Sequence, residues 1–197
     1  MRYALLVIVC VACGGKLAET RYYALAAPPA TTGHGTVIVA VEPLSTEPGY
    51  DDERIVYRQN PYRLDYYQYH RWSAAPGVVI GSYLAQALDA SGKFQAVVRE
   101  PSDKTPIVIG GRVLALEEVD ESATRWLGHI VVELTATDRV SGEVVWTKKF
   151  DDSEPLQART PEGLARAIST AMSRIVDRAA PAISELPTSH ATVGTTK

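Results

Sequence analysis

Residues that could carry out catalysis or bind a metal ion are few and scattered along this chain. The four histidines are isolated from one another in the sequence: His34, His70, His129 and His190. Acidic clusters at residues 51–53, 117–121 and 151–154 fall at predicted strand ends or turns, where solvated charge is expected, and they lack the alternating oxygen ligands and glycine of a calcium loop. A zinc-ligand spacing, a phosphate loop and a G-x-S-x-G nucleophile motif are also missing. The sequence therefore predicts a non-enzymatic protein with no metal and no cofactor.

One side chain, the thiol of Cys13, has a specific predicted chemistry. Residues 3–12 form a ten-residue apolar run after a short positive start, which is about half the length of a membrane-spanning helix and typical of a secretory signal. Ala12 before the cysteine and Gly14 after it resemble the lipobox of a bacterial lipoprotein, in which the thiol receives diacylglycerol and becomes the new N-terminus. Cys10 fits less well because a bulky valine precedes it. We therefore expect a signal peptide over residues 1–12 and lipidation of Cys13; the alternative is an ordinary signal peptide that leaves a free thiol.

Composition limits the other ways in which this chain could bind to membranes or nucleic acids. Cleavage before Cys13 leaves 185 of the 197 residues and a single cysteine, so no disulfide within the chain stabilises the folded part. The net charge is −3 and no run of Lys or Arg exceeds two residues. Nucleic-acid binders carry a basic face, and none is visible here. Without a polybasic patch, membrane attachment depends on the lipid, whose two acyl chains suffice for stable anchoring.

The chain divides into four parts by composition. Residues 1–12 are the predicted signal peptide, and residues 13–35 are a lipid-anchored tether followed by a Pro/Gly/Thr-rich connector. Periodic segments fill residues 36–180, which we expect to form one domain. Residues 181–197 contain two prolines and several Ser and Thr but little apolar pattern, and this composition predicts a disordered tail.

Hydrophobic periodicity predicts seven strands and two helices within that domain. Strands are expected at residues 36–42, 55–57, 62–69, 94–99, 106–119, 125–138 and 143–150, with a bulge at Gly110–Gly111. Helices are expected from Pro76 to about Ala90 and from Pro161 onward, each with proline at its first position. This order predicts an α+β fold, in which two main helices pack on one face of a mixed or mostly antiparallel sheet.

Aromatic residues are concentrated before the first predicted helix. Six of the ten tyrosines, together with Trp72, lie between residues 50 and 72. They either pack on the sheet, because tyrosine suits strands, or form a contact surface, because Tyr and Arg often carry interface energy. We interpret the segment as a partner-binding surface and expect Trp72 to be buried. The proposed contact residues are Tyr50, Arg54, Tyr57, Arg58, Tyr62, Arg63, Tyr66, Tyr67 and Tyr69.

The order of several short motifs resembles the ABC-type transport auxiliary lipoprotein family, whose relatives include the paraquat-inducible lipoprotein associated with MCE-protein lipid transporters. The resemblance covers about residues 22–180. After the cysteine, the motifs are Tyr22-Tyr-Ala-Leu25, a valine-rich strand ending in Val41-Glu-Pro-Leu44, Ile55-Val-Tyr-Arg58, His70-Arg-Trp72 before the first helix, and Ser91-Gly-Lys-Phe94.

This resemblance implies a lipoprotein that faces the periplasm of a Gram-negative envelope. Its implied partners are an MCE-domain protein and, through it, an ABC permease and ATPase that move lipid or another hydrophobic solute. Gly14 after the cysteine is compatible with sorting to the outer membrane, with the inner membrane as the alternative. Because MCE proteins form rings, a matching homo-oligomeric ring is also expected.

Three functional hypotheses follow from these observations. The first is a non-enzymatic docking subunit of the transport system. The second is a lipid carrier that binds an acyl chain in an enlarged cavity between helices and sheet, lined by Val79, Tyr83, Leu164 and Ile168. The third is an envelope-structural lipoprotein without a transport role.

Overall fold

The computed structural model describes residues 18–187. The predicted signal peptide, Cys13 and the last ten residues of the predicted tail lie outside the described residues. The strands are β1 (Arg21–Tyr23), β2 (Ile38–Val41), β3 (Ser45–Thr46), β4 (Arg54–Asn60), β5 (Arg63–Trp72), β6 (Ala96–Val98), β7 (Ile107–Ser122), β8 (Arg125–Asp138) and β9 (Val144–Pro155). The helices are α1 (Pro76–Ala90) and α2 (Pro161–Ser184), and a short 3-10 turn spans Pro48–Tyr50.

The sheet is organised around β7, its longest strand. On one edge β7 pairs antiparallel with β8, which pairs antiparallel with β9. On the other edge β2, β3 and β4 follow one another along β7, all in parallel. Beyond them, β6 pairs with β2, and β5 and then β1 extend the sheet outward from β4. The predicted α+β fold with a mixed sheet is confirmed.

Both helices contribute to one large apolar core on the same side of the sheet. Leu84 and Leu88 of α1, and Ile168 and Ile175 of α2, are fully buried there, and burying one such side chain contributes about 1.5–3 kcal/mol. Trp72 is only 1% exposed and belongs to this core, as expected. Between residues 18 and 187, neither helix is long and apolar enough to cross a membrane.

The start of each helix is specified locally. In α2, the Thr160 side chain accepts a hydrogen bond from the backbone N–H of Gly163 at 3.0 Å, which satisfies a donor that the helix itself leaves free. In α1, Gly77 lies so close to the chain after β2 that a Cβ atom there would be 1.9 Å from the carbonyl oxygen of Leu44. Glycine is therefore required where α1 packs against this segment.

The predicted bulge at Gly110–Gly111 is wrong. Both glycines pair in register with β8, and the irregularity lies at Leu114, where the register shifts between Val113 and Ala115. Gly111 instead has a φ of +146°, and a Cβ atom there would be 2.0 Å from the carbonyl oxygen of Glu133. The glycine allows close approach of two backbones without inserting an extra residue.

The fold extends beyond residues 36–180 at both ends. At the N-terminal end β1 pairs with β5, and Tyr23 is buried in the core, so part of the predicted connector belongs to the sheet. At the C-terminal end α2 continues through Pro181 to Ser184, and Ile183 is fully buried, so the predicted tail is wrong for its first four residues. A three-residue strand and one final helical turn are too short to produce a periodic pattern.

Candidate functional site

The nine predicted contact residues lie on β4, on β5, in the turn that joins these strands and in the 3-10 turn before them, but the sheet separates them. Tyr66 and Tyr67 face opposite sides, as their adjacency requires: Tyr66 packs in a small outer cluster and Tyr67 packs against the helix-covered core. The face of the sheet opposite the helices, which we call the outer face, also holds Tyr50, Arg54 and Arg58. The helix-covered face holds Tyr57. The solvent-exposed members are Tyr62, Arg63 and Tyr69.

A buried carboxylate, Glu117, organises the outer face. Tyr50 Oη donates to its Oε2 at 2.8 Å and Arg58 Nε donates to the same oxygen at 3.1 Å. His129 Nδ1 lies 3.2 Å from its Oε1, and His129 Nε2 lies 3.0 Å from Asp151 Oδ1. We call these five residues the outer network.

The charges of the outer network follow from this geometry. Burial alone would raise the pKa of Glu117, but hydrogen bonds from His129, Tyr50 and Arg58 outweigh it and hold the pKa below its usual value. A neutral imidazole has only one N–H and can donate to only one carboxylate. The hydrogen bond to Glu117 and the second one to Asp151 therefore favour the doubly protonated ring and raise the pKa of His129, although burial opposes the shift.

Arg58 connects this network to the tip of the β4–β5 hairpin. Its Nη2 donates to Tyr50 Oη at 2.7 Å and its Nη1 donates to the carbonyl oxygen of Pro61 at 2.9 Å. The backbone N–H of Tyr62 donates to Asn60 Oδ1 at 3.0 Å, which closes the turn. The Tyr62 side chain is 95% exposed. The hairpin tip thus presents an aromatic ring from a turn that several hydrogen bonds hold in place.

A second carboxylate, Glu118, is buried on the opposite face beneath an arginine. Tyr67 Oη donates to its two oxygens at 3.2 and 3.3 Å, and Arg159 Nε reaches Oε1 at 3.5 Å. Arg159 Nη2 donates to Asp120 Oδ2 at 2.6 Å, and its guanidinium lies 4.9 Å from the ring centre of Trp126. We call these five residues the inner cluster.

The inner cluster holds two neighbouring carboxyl groups, of which Glu118 is fully buried and Asp120 is 12% exposed. Burial, and then the charge of Asp120, raises the pKa of Glu118. Oδ1 of Asp120 is buried without a hydrogen-bond partner in the described part of the chain. A proton retained on Glu118 reduces the repulsion between the two groups. Burial also raises the pKa of Tyr67.

The sequence-based interpretation of residues 117–121 as solvated strand-end charge is wrong for Glu117 and Glu118, although Glu121 is exposed near the end of β7. β7 continues to Ser122, so Glu117 and Glu118 lie within a paired strand and are 3% and 0% exposed. The pattern that could have revealed this is the apposition of the two glutamates with Tyr50, Arg58 and Tyr67 from other segments of the chain. That pattern depends on which strands pair, and the sequence does not give the pairing.

A groove that the sequence did not predict lies beside α2. One wall is the segment from Tyr22 to Pro28, which we call the strap, and the other is the face of α2 between Glu162 and Ser173. The groove has a volume of about 620 Å³, and Tyr83 of α1 also lines it. The strap has no hydrophobic periodicity, so no sequence pattern indicated a wall here.

The residues expected to line a carrier's cavity lie elsewhere. Val79, Leu164 and Ile168 are packed in the main core, and of the four predicted lining residues only Tyr83 borders the groove. Packing of this kind leaves little room for an acyl chain between helices and sheet. Within residues 18–187, no group of three or more His, Cys, Asp or Glu side chains is arranged to hold a metal ion.

Comparison with protein families identifies the class of this chain. Residues 23–180 match the family model described as the ABC-type transport auxiliary lipoprotein component. The chain belongs to this family. It is therefore an auxiliary lipoprotein of an ABC-type transport system, and the resemblance noted in the sequence is confirmed.

The auxiliary lipoprotein shares its fold with solved structures of low sequence identity. Protein XCC0632 from Xanthomonas campestris, of family model DUF330, is 18% identical with a TM-score of 0.71; the match covers 83% of this chain and 96% of that one. A second structure, described only as an uncharacterized protein, is 14% identical with a TM-score of 0.68 and coverages of 84% and 99%. At these identities the likeness concerns the fold alone. No curated protein is significantly similar to the auxiliary lipoprotein.

Proposed function

We propose that the auxiliary lipoprotein is a non-enzymatic docking subunit that binds an MCE-domain protein through the tip of its β4–β5 hairpin. Diacylglycerol on Cys13 anchors it to the outer membrane, facing the periplasm. The MCE-domain protein connects it to an ABC permease and ATPase that move lipid or another hydrophobic solute. Family membership supports the transport role, and the hairpin suggests the contact surface.

The observation that carries this proposal is the exposed aromatic ring on an ordered turn. Tyr62 is 95% exposed, and the adjacent Arg63 side chain is 60% exposed. A tyrosine whose backbone is already fixed loses little further freedom when a partner covers it, and Tyr and Arg are frequent interface hot spots.

The nine proposed contact residues take different roles in this view. Tyr50, Arg58 and Tyr66 are engaged within the fold, where they support the hairpin; Tyr66 Oη, for example, donates to the carbonyl oxygen of Gly49 at 3.0 Å. The direct contacts are then expected from Tyr62, Arg63 and Tyr69. A homo-oligomeric ring that matches a ring-shaped partner would use a heterologous interface.

Substitutions at the hairpin tip test the proposal. The full-length protein, purified in detergent, is mixed with a candidate MCE-domain partner, and the dissociation constant is measured by sedimentation. Tyr62→Ala should weaken binding by about tenfold, equivalent to about 1.4 kcal/mol, and Tyr62→Ala with Arg63→Ala should weaken it further.

The matched control is Val140→Ala, because Val140 is 60% exposed at the β8–β9 turn. It should leave the dissociation constant unchanged. Equal binding by wild type, control and both hairpin variants would exclude the hairpin as the docking surface. Anchoring is tested separately by Cys13→Ser, which should move the protein out of the detergent phase; its recovery there at the wild-type level would reject the lipid anchor.

A further inference from the structure

The groove between the strap and α2 has fixed walls. The backbone N–H of Ala26 donates to Ser169 Oγ at 3.1 Å, which joins the strap to α2. On its other side the strap packs against the core through Leu25 and Ala27. The groove is therefore a formed feature of the fold, and its volume of about 620 Å³ is in the range of small-molecule sites.

The hydroxyl groups of Ser169, Thr170 and Tyr83 along the groove are already engaged in hydrogen bonds. Ser169 Oγ donates to the carbonyl oxygen of Ala165 at 2.7 Å, and Thr170 Oγ1 donates to that of Arg166 at 3.1 Å. Tyr83 Oη donates to the carbonyl oxygen of Ser169 at 2.9 Å. An extended peptide brings backbone groups that need partners, and this wall offers few. A hydrocarbon chain makes no such demand.

One charge of each sign lies on the groove wall. Glu162 and Arg166 are both exposed, and neither forms an ion pair with another described residue between 18 and 187. They lie one helical turn apart on α2. A guanidinium binds phosphate well, and a carboxylate binds an ammonium group, so the pair is complementary to a zwitterionic phosphoethanolamine headgroup.

The groove is also close to the predicted anchor in the chain. Arg21, at the start of β1, is the eighth residue after Cys13, so this stretch can span at most about 29 Å. Tyr22, the first strap residue, is 62% exposed, and its amphipathic ring suits a membrane–water boundary.

We infer that the groove binds one acyl chain of a zwitterionic membrane phospholipid, with its headgroup between Arg166 and Glu162. This inference rests on the proposed lipid anchor, because the anchor keeps the groove near a bilayer. The site differs in location from that of the carrier hypothesis, because the acyl chain would lie between the strap and α2 and not within the core.

Photo-crosslinking tests this site in the full-length protein. The protein is reconstituted in vesicles of phosphatidylethanolamine and phosphatidylglycerol that contain a trace of phosphatidylethanolamine with a diazirine on its acyl chain. After irradiation, the labelled peptides are mapped by mass spectrometry. Label is expected on residues 22–28 and 162–173. Ala26→Trp, which fills the groove, should lower this label about tenfold, the loss that about 1.4 kcal/mol produces.

Ala123→Trp is the matched control, because Ala123 is exposed in the turn between β7 and β8, outside the groove. It should leave the labelling unchanged. Equal labelling in Ala26→Trp would overturn the inference, as would unlabelled groove peptides in the wild type. The groove could instead be labelled in Cys13→Ser protein added to the same vesicles but not in the wild type. This result would show that the protein's own acyl chain fills the groove, and it would also overturn the inference.

A second probe with a phosphatidylglycerol headgroup tests the charge pair. It should label the groove less than the phosphatidylethanolamine probe, and equal labelling would overturn the assignment of the headgroup. Docking and lipid binding can fail independently in these experiments. Tyr62→Ala should weaken partner binding but retain the groove label, whereas Ala26→Trp should lose the label but retain partner binding.

Discussion

Glu117 and Glu118 are neighbours in β7, and both are buried, yet the protein shifts the pKa of each in the opposite direction. Glu117 faces the hydrogen-bond donors of Tyr50 and Arg58 and the imidazole of His129, which stabilise its charge. Glu118 faces another carboxyl group, with one arginine 3.5 Å away. The partners on each side of the sheet, more than the depth of burial, decide the direction in which the pKa of a carboxyl group shifts.

The two faces also differ in what stabilises them. The helix-covered face holds the large apolar core, whereas the outer face has a small cluster of Tyr50, Val56, Ala115 and Val131. Close to that small cluster, charged hydrogen bonds hold the outer network together. Substitutions on the two faces should therefore have different costs and different dependence on pH.

The largest expected effect is on the helix-covered face. Trp72→Ala should lower the free energy of unfolding by about 3–5 kcal/mol, because it removes a fully buried ring from a packed core. Urea unfolding followed by far-ultraviolet circular dichroism measures this loss. A melting temperature within one or two degrees of wild type would contradict it.

On the outer face, Glu117→Gln should be nearly as costly. The substitution removes the charge that Arg58 and His129 share, and breaking a buried ion pair costs about 3 kcal/mol. The melting temperature should fall by about 6–12 °C for a chain of this size. An unchanged melting temperature would show that the outer network contributes no net stability.

The dependence of stability on pH should identify the contribution of His129 to the outer network. The raised pKa of His129 means that its contribution to stability is complete below its ordinary value of 6.5 and is lost as the pH rises through the raised value. The lowered pKa of Glu117 gives a contribution that is complete above 4.5 and lost as the pH falls through the lowered value. His129→Gln should flatten the loss on the alkaline side in a series of urea titrations. If the variant loses the same amount of stability at alkaline pH as the wild type, the loss belongs to another titratable group.

The smallest expected effect is that of Glu118→Gln. Glutamine resembles a protonated glutamate in shape. At acidic pH the substitution should therefore lower the free energy of unfolding by less than about 1 kcal/mol. The raised pKa of Glu118 implies that its folding penalty grows as the pH rises above 4.5. The stability of the variant relative to wild type should therefore increase over that range. If Glu118→Gln lowers the free energy of unfolding at neutral pH as much as Glu117→Gln does, the two faces do not differ in the way described.

Sequence patterns predicted the elements whose signals are local. The bounds of α1 and β8 agree with the structure, because a proline start, a helical apolar face and strict alternation are all visible in short windows. Burial of Trp72 followed from its position before α1.

The features that escaped prediction depend on distant partners. β1 exists only because β5 is beside it, and the groove exists only because the strap crosses α2. The outer network joins residues 50 to 151 through five separate segments. The split of the tyrosines between faces could be predicted for Tyr66 and Tyr67, but their partners could not.

The parallel pairing along β7 has a consequence for the time course of folding. Val39 pairs with Ile107 and Val56 pairs with Glu117, so each of these contacts closes a long stretch of chain that includes α1. Closing such loops costs conformational entropy before the stabilising contacts form. Topologies of this kind therefore fold in milliseconds to seconds. The β7–β9 hairpins are local and should form early. The segments before α1 should then dock last, so pulsed hydrogen exchange should find their amides protected after those of β8.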